Sequence, residues 1–130
     1  MLMKNRLLIF ILSLCFLNSQ AFTEEFIFKT KNIEIIDNGE FITAGKGKVI
    51  SSDRDLEINA NKFEYNKKLN ILETFGNGKL LINSKKLEID FDNSIIDQKN
   101  LLIKANKNIK ILDKENNLLI TSDSIFYDQK

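Results

Sequence analysis

The stretch Leu56-Glu57-Ile58-Asn59-Ala60-Asn61-Lys62-Phe63-Glu64-Tyr65-Asn66 sets apolar side chains against polar ones at every second position within each half. Successive side chains of a strand point to opposite faces, so this period marks a pair of half-buried β-strands. Leu87-Glu88-Ile89-Asp90-Phe91 reads the same way. No stretch after residue 21 keeps a helical period, and no proline interrupts a ladder anywhere. The fold class expected is all-β.

Working outward, the pattern recurs at a fixed step of 31 residues. Leu56, Leu87 and Leu118 are one set, and Ile58, Ile89 and Ile120 are another. Lys48, Lys79 and Lys110 form a third, each followed by an apolar residue: Val49, Leu80, Ile111. Tyr65, Ile96 and Tyr127 form a fourth, each followed by a turn former, and Phe41, Leu72 and Ile103 a fifth. Gly45-Lys46-Gly47-Lys48 matches Gly76-Asn77-Gly78-Lys79, while Lys107-Asn108 stands in the third copy. One copy cannot bury its apolar face alone, so about three repeats must stack. The glycines are expected to take positive φ at bulges that let the sheet curl. An open, twisted sheet with one greasy inner face follows, with a closed sandwich as the alternative. The last copy stops at Tyr127-Asp128 without a capping segment. The expectation is either a continuation past Lys130 or pairing of the last strand with another chain.

The N-terminus reads differently. Lys4 and Arg6 precede an apolar run from Leu7 to Leu17 broken only by Ser13, and Ser19-Gln20-Ala21 offers small residues for cleavage. This is the pattern of a secretory signal over residues 1–21, leaving a domain at 22–130. The run is shorter than the roughly 20 residues that cross a bilayer, which argues against the alternative of an uncleaved anchor. Cys15 follows Leu14 instead of a small residue, which argues against lipidation, and the exported chain is left without cysteine. It gains nothing from disulfides in an oxidising compartment. Removing Lys4 and Arg6 leaves 17 basic against 18 acidic residues, a net charge of −1 with the signs interspersed. Nothing in that balance points to nucleic acid.

Catalytic groups are scarce. Histidine and tryptophan are absent. The commonest general base and metal ligand is therefore missing, and no indole platform exists for a sugar. The Gly-x-Gly-Lys pieces lack the spacing of a phosphate loop and precede strands. Glu57, Glu88 and Asp90 lie on the polar side of their strands, where acids are ordinary surface charges rather than a glycosidase pair. No enzyme and no cofactor is expected.

Four runs carry a resemblance. Phe41-Ile42-Thr43-Ala44-Gly45-Lys46-Gly47-Lys48-Val49 and Phe75-Gly76-Asn77-Gly78-Lys79-Leu80 resemble the glycine-containing rungs of the OstA-like (LptA) lipopolysaccharide-transport family. The strand pair from Leu56 to Asn66, repeated at Ile120-Thr121-Ser122-Asp123-Ser124-Ile125-Phe126-Tyr127-Asp128, is similar to the family's second element. The match covers roughly residues 32–130. The middle copy departs from it, with Asp90-Phe91-Asp92 in place of Asn-Ala-Asn and Ile96 in place of tyrosine.

The resemblance implies a periplasmic, open β-jelly-roll that carries lipopolysaccharide between the membranes with its acyl chains in an apolar groove. It is the stand-alone carrier or the N-terminal domain of an outer-membrane translocon of the LptD type. The implied lining is Val49, Leu56, Ile58, Phe63 and Tyr65 in the first copy, and Leu80, Leu87, Ile89 and Phe91 in the second. Ile111, Leu118, Ile120 and Tyr127 complete it in the third. The implied partners are like domains of the LptC, LptA and LptD type, or further copies joined head to tail. Ile33 and Ile35 of one edge would meet Ile125 and Tyr127 of another. A different class of protein with the same stacking would be a structural β-solenoid that polymerises around a dry interior.

Overall fold

The computed structural model describes residues 26–130, so the expected export signal lies outside the described residues. Among the described residues, ten strands form one open antiparallel sheet that is not closed into a barrel. They are β1 (Phe26–Thr30), β2 (Ile33–Ile36), β3 (Phe41–Ala44), β4 (Gly47–Ser51), β5 (Leu56–Ala60) and β6 (Lys62–Asn66). Four long strands follow: β7 (Ile71–Ile82), β8 (Leu87–Asp97), β9 (Leu102–Asp113) and β10 (Leu118–Asp128).

The pairing reduces to a simple plan. β1 with β2, β3 with β4, and β5 with β6 each form one bent rung, and each long strand is a bent rung by itself. Seven such rungs meander back and forth, and the sheet folds along the line of their corners into two facing legs. The first leg holds β1, β4, β5 and residues 78–82, 87–91, 109–113 and 118–122. The second holds β2, β3, β6 and residues 71–75, 93–97, 102–106 and 124–128. A repeat of 31 residues is two rungs, one out and one back.

The crease has a local cause. The register between β7 and β8 shifts between Phe75 and Gly78, and β9 carries a matching extra residue opposite β8 and β10. Gly76 has φ of 79° and Asn77 46°, and one repeat on, Lys107 has 65° and Asn108 52°. A bulge with left-handed residues bends a strand and sharpens its twist. Gly45 and Gly47 take no positive φ, contrary to expectation. Gly78 serves another purpose, because an added Cβ there would lie 2.0 Å from the Phe91 ring.

The turns stack as well as the strands. At the second leg's end, the N–H groups of Lys67, Gln98 and Gln129 donate to the carbonyls of Glu40, Asn70 and Leu101 at 2.8, 3.1 and 2.9 Å. At the first leg's end, Asn83 and Lys114 donate to Asp55 and Lys86 at 2.9 and 3.1 Å. These donors recur at the repeat step, so turn-to-turn hydrogen bonds carry the period beyond the sheet ladder.

Candidate functional site: the inner face and its open end

Two rows of side chains run the length of the inner face. On the first leg, cross-strand pairing aligns Phe28, Val49, Ile58, Leu80, Ile89, Ile111 and Ile120. On the second leg it aligns Ile35, Ile42, Tyr65, Leu72, Ile96, Ile103 and Tyr127. Beside the latter runs a smaller row: Ile33, Ala44, Phe63, Thr74, Ser94, Ala105 and Ile125. Its two polar members, Thr74 and Ser94, satisfy each other through a hydroxyl contact of 2.6 Å. The Tyr65 hydroxyl donates to Asn70 Oδ1 at 2.9 Å.

All thirteen lining residues read from the sequence belong to this inner surface, but their cover differs. Val49, Leu56, Ile58, Phe63, Tyr65, Leu80, Ile89 and Phe91 are buried. Leu87, Ile111 and Tyr127 are half-buried, and Leu118 and Ile120 are 52% and 48% exposed. Around the middle rungs the two legs touch, and the space between them is filled by side chains. An acyl chain at Ile58 or Ile89 would have to displace the packing, whereas one at Ile120 would not.

The ends are staggered. Phe26 of the first rung packs edge-on against Tyr65 of the third, with centroids 5.3 Å apart, and Phe28 lies 6.4 Å from Phe63 and 6.0 Å from Tyr65. The first leg thus leans two rungs ahead onto the second. At the β10 end it overhangs, leaving Leu118 and Ile120 uncovered. At the β1–β2 end the second leg is bare, with Ile33 at 49% and Ile35 at 62% exposure. Ile125 and Tyr127 remain half-buried on the inner side of β10.

Sequence reading missed much of this core: Phe26, Phe28, Leu72, Ile82, Ile96, Ile103, Ala105 and Ile109 all pack into it. Leu72, Ile96 and Ile103 were visible as repeat positions without a role. The set containing Phe41 is out of phase, because Ile42, not Phe41, aligns with Leu72. The bulge residue present in β7 has no counterpart in the rung of β3 and β4, so Phe41 turns outward.

The outer face of the first leg is a polar lattice. Lys48 pairs with Glu57, Lys79 with Glu88 at 2.6 Å and with Asp90 at 3.5 Å, and Lys114 with Glu88 at 3.0 Å. Hydrogen bonds from Lys79 and then Lys114 hold Glu88 below the usual carboxylate range, and Glu88 in turn raises Lys79. Such half-exposed pairs contribute about 0.2–1 kcal/mol each and fix which face is outside. A trough of about 530 Å³ at the crease beside β10 is lined by Asn108, Ile109, Lys110, Thr121, Ser122 and Asp123. Its wall is mostly polar. Among the described residues, no group of three or more acidic, histidine or cysteine side chains is placed to hold a metal. No protein-family model and no curated protein sequence matches the chain.

Proposed function

We propose that the chain is a non-enzymatic lipid-handling protein of the bacterial envelope that holds acyl chains of lipopolysaccharide on the open end of its inner face. The observation that carries this reading is the fate of one repeat position: Ile58 is 0% exposed, Ile89 1% and Ile120 48%. Among the described residues, the apolar rows of the first leg continue beyond the point where the second leg covers them. An acyl chain laid along Ile111, Leu118, Ile120, Ile125 and Tyr127 gains about 0.8 kcal/mol per buried methylene and needs no polar chemistry.

The periplasmic setting, the inner-to-outer direction and the company of LptC-, LptA- and LptD-type domains come from the family resemblance. The resemblance also implies that the first rung of a like domain adds to β10 head to tail, an arrangement that competes for this edge with any pairing of β10 to a second β10. The stagger suits such an arrival, since the overhanging Leu118 and Ile120 need a second leg and the bare Ile33 and Ile35 need a first.

One observation favours a second reading, the envelope scaffold. Val49, Ile58, Phe63, Leu72, Leu80 and Ile96 are fully sealed, as a dry solenoid core would be. A photo-crosslinking residue decides between the two. Placed at Ile120, it should capture lipopolysaccharide, while at Ile58, and at Glu88 on the outer face, it should not. No capture at Ile120 by a folded chain in the presence of lipopolysaccharide would leave the scaffold.

A further inference from the structure

The outer edge of β10 has no partner among the described residues, and its sequence does nothing to discourage one. From Leu118 to Asp128 it contains no lysine, arginine or proline, the residues that ordinarily blunt an edge strand. It also displays Leu119 and Phe126 on its outer side at 67% and 61% exposure, with Leu118 and Ile120 on its inner side. The opposite edge is guarded, with Lys29 in β1, Lys31 at the bend and Glu34 in β2.

Direction decides what fits this edge. Rungs alternate in direction, and seven is odd, so β10 runs the same way as β1–β2, from the first leg to the second. Setting the end of one copy against the start of the next would place two strands parallel. Every pairing within the sheet is antiparallel, and parallel pairing is slightly weaker per residue. A two-fold rotation reverses β10 and restores the antiparallel ladder.

We propose that two copies of this chain join β10 to β10 about a two-fold axis passing between Ser122 and Asp123. Matching inner side to inner side fixes the register, because a one-residue slip would turn one strand's apolar set outward. Leu118 then lies opposite the partner's Tyr127, and Ile120 opposite the partner's Ile125. On the outer side Leu119 meets the partner's Phe126, and past the strand's end Lys130 meets the partner's Glu115. Every large apolar side chain of β10 gains an apolar cross-strand neighbour, and the inner rows continue from one copy into the other. The contact is isologous and closes at two. Only the two Asp123 carboxylates, flanking the axis, oppose it. This pairing does not depend on lipid binding.

The test uses the full chain with Cys15→Ser, carrying Leu119→Cys in one preparation and Phe126→Cys in another. The two positions are seven residues apart, roughly 24 Å along a strand, so neither variant can link to itself across the axis. The expected result is a disulfide-linked dimer only when the two are mixed and oxidised. Sedimentation should show a closed monomer–dimer equilibrium, and Asp123→Asn should lower its Kd by roughly two- to five-fold through loss of the like-charge contact. Linkage of Phe126→Cys to Glu34→Cys would overturn the proposal in favour of head-to-tail growth. So would a weakening of association by Asp123→Asn, which in that arrangement lies beside Lys31. A folded chain that stays monomeric at high concentration would overturn it outright.

Discussion

Ile58 and Ile120 occupy the same place in the repeat, two copies apart, yet Ile58 is sealed and Ile120 stands half in solvent. Their identical side chains make a controlled comparison of what the inner face contributes at its middle and at its end. Ile58→Ala should destabilise the fold by about 2–5 kcal/mol, because it removes buried methyl groups and leaves a cavity. Ile120→Ala should cost less than about 1 kcal/mol. Urea unfolding of the monomer at low concentration checks both, and equal losses would contradict the gradient of cover.

Thr74 and Ser94 are the hydroxyl pair inside the second leg. Thr74→Val alone should cost about 1–3 kcal/mol, since it leaves the Ser94 hydroxyl buried without its partner. Adding Ser94→Ala should recover part of that loss. A double-mutant cycle with no coupling would mean that the two hydroxyls find other partners.

The bulges predict opposite outcomes for two residues. Gly78→Ala drives a methyl into the Phe91 ring and should destabilise, with partial recovery in Gly78→Ala/Phe91→Leu. Lys107, which holds a φ of 65° without being glycine, should tolerate Lys107→Gly with a change within about 1 kcal/mol of zero. Thermal unfolding of the three variants reads these signs directly.

Acid should loosen the turns before the core. Asp97 is held below the usual carboxylate range by the Asn100 side chain, then by backbone N–H groups, and Asp113 likewise by Asn116. A lowered native pKa means that the unfolded chain takes up protons first as pH falls. The stabilisation is therefore complete above the ordinary carboxylate range and lost as pH drops through the depressed values. Asp97→Asn should flatten the acid limb of stability from the ordinary carboxylate range downward. An unchanged limb would mean that other carboxylates dominate it.

The repeat was legible because leucine and isoleucine at a constant step of 31 mark positions that share a face. Ile58, Ile89 and Ile120 do fall on one row, as do Tyr65, Ile96 and Tyr127. The crease was legible only in part. Gly76 was read as a bend, but Gly45-Lys46-Gly47, matched to it by sequence, holds neither a positive φ nor an extra residue, and that false likeness hid the slip that turns Phe41 outward. Cover was not legible at all. Exposure at Ile120 depends on which leg overhangs, and that is fixed by Phe26 and Phe28 packing on residues some 35–40 positions away.

The stacked turns bear on how such a chain can lengthen. The donors Lys67, Gln98 and Gln129 each reach back to the preceding turn on the same side, and the intervening turn lies on the other. An insertion that preserves this lattice must therefore bring a turn for each side, which makes the out-and-back unit the smallest heritable step of growth. Gene duplication in whole units would extend the molecule while leaving both terminal strands pointing as they do now. A half-unit gain or loss would reverse the orientation of one terminus and exchange the kind of neighbour it can accept.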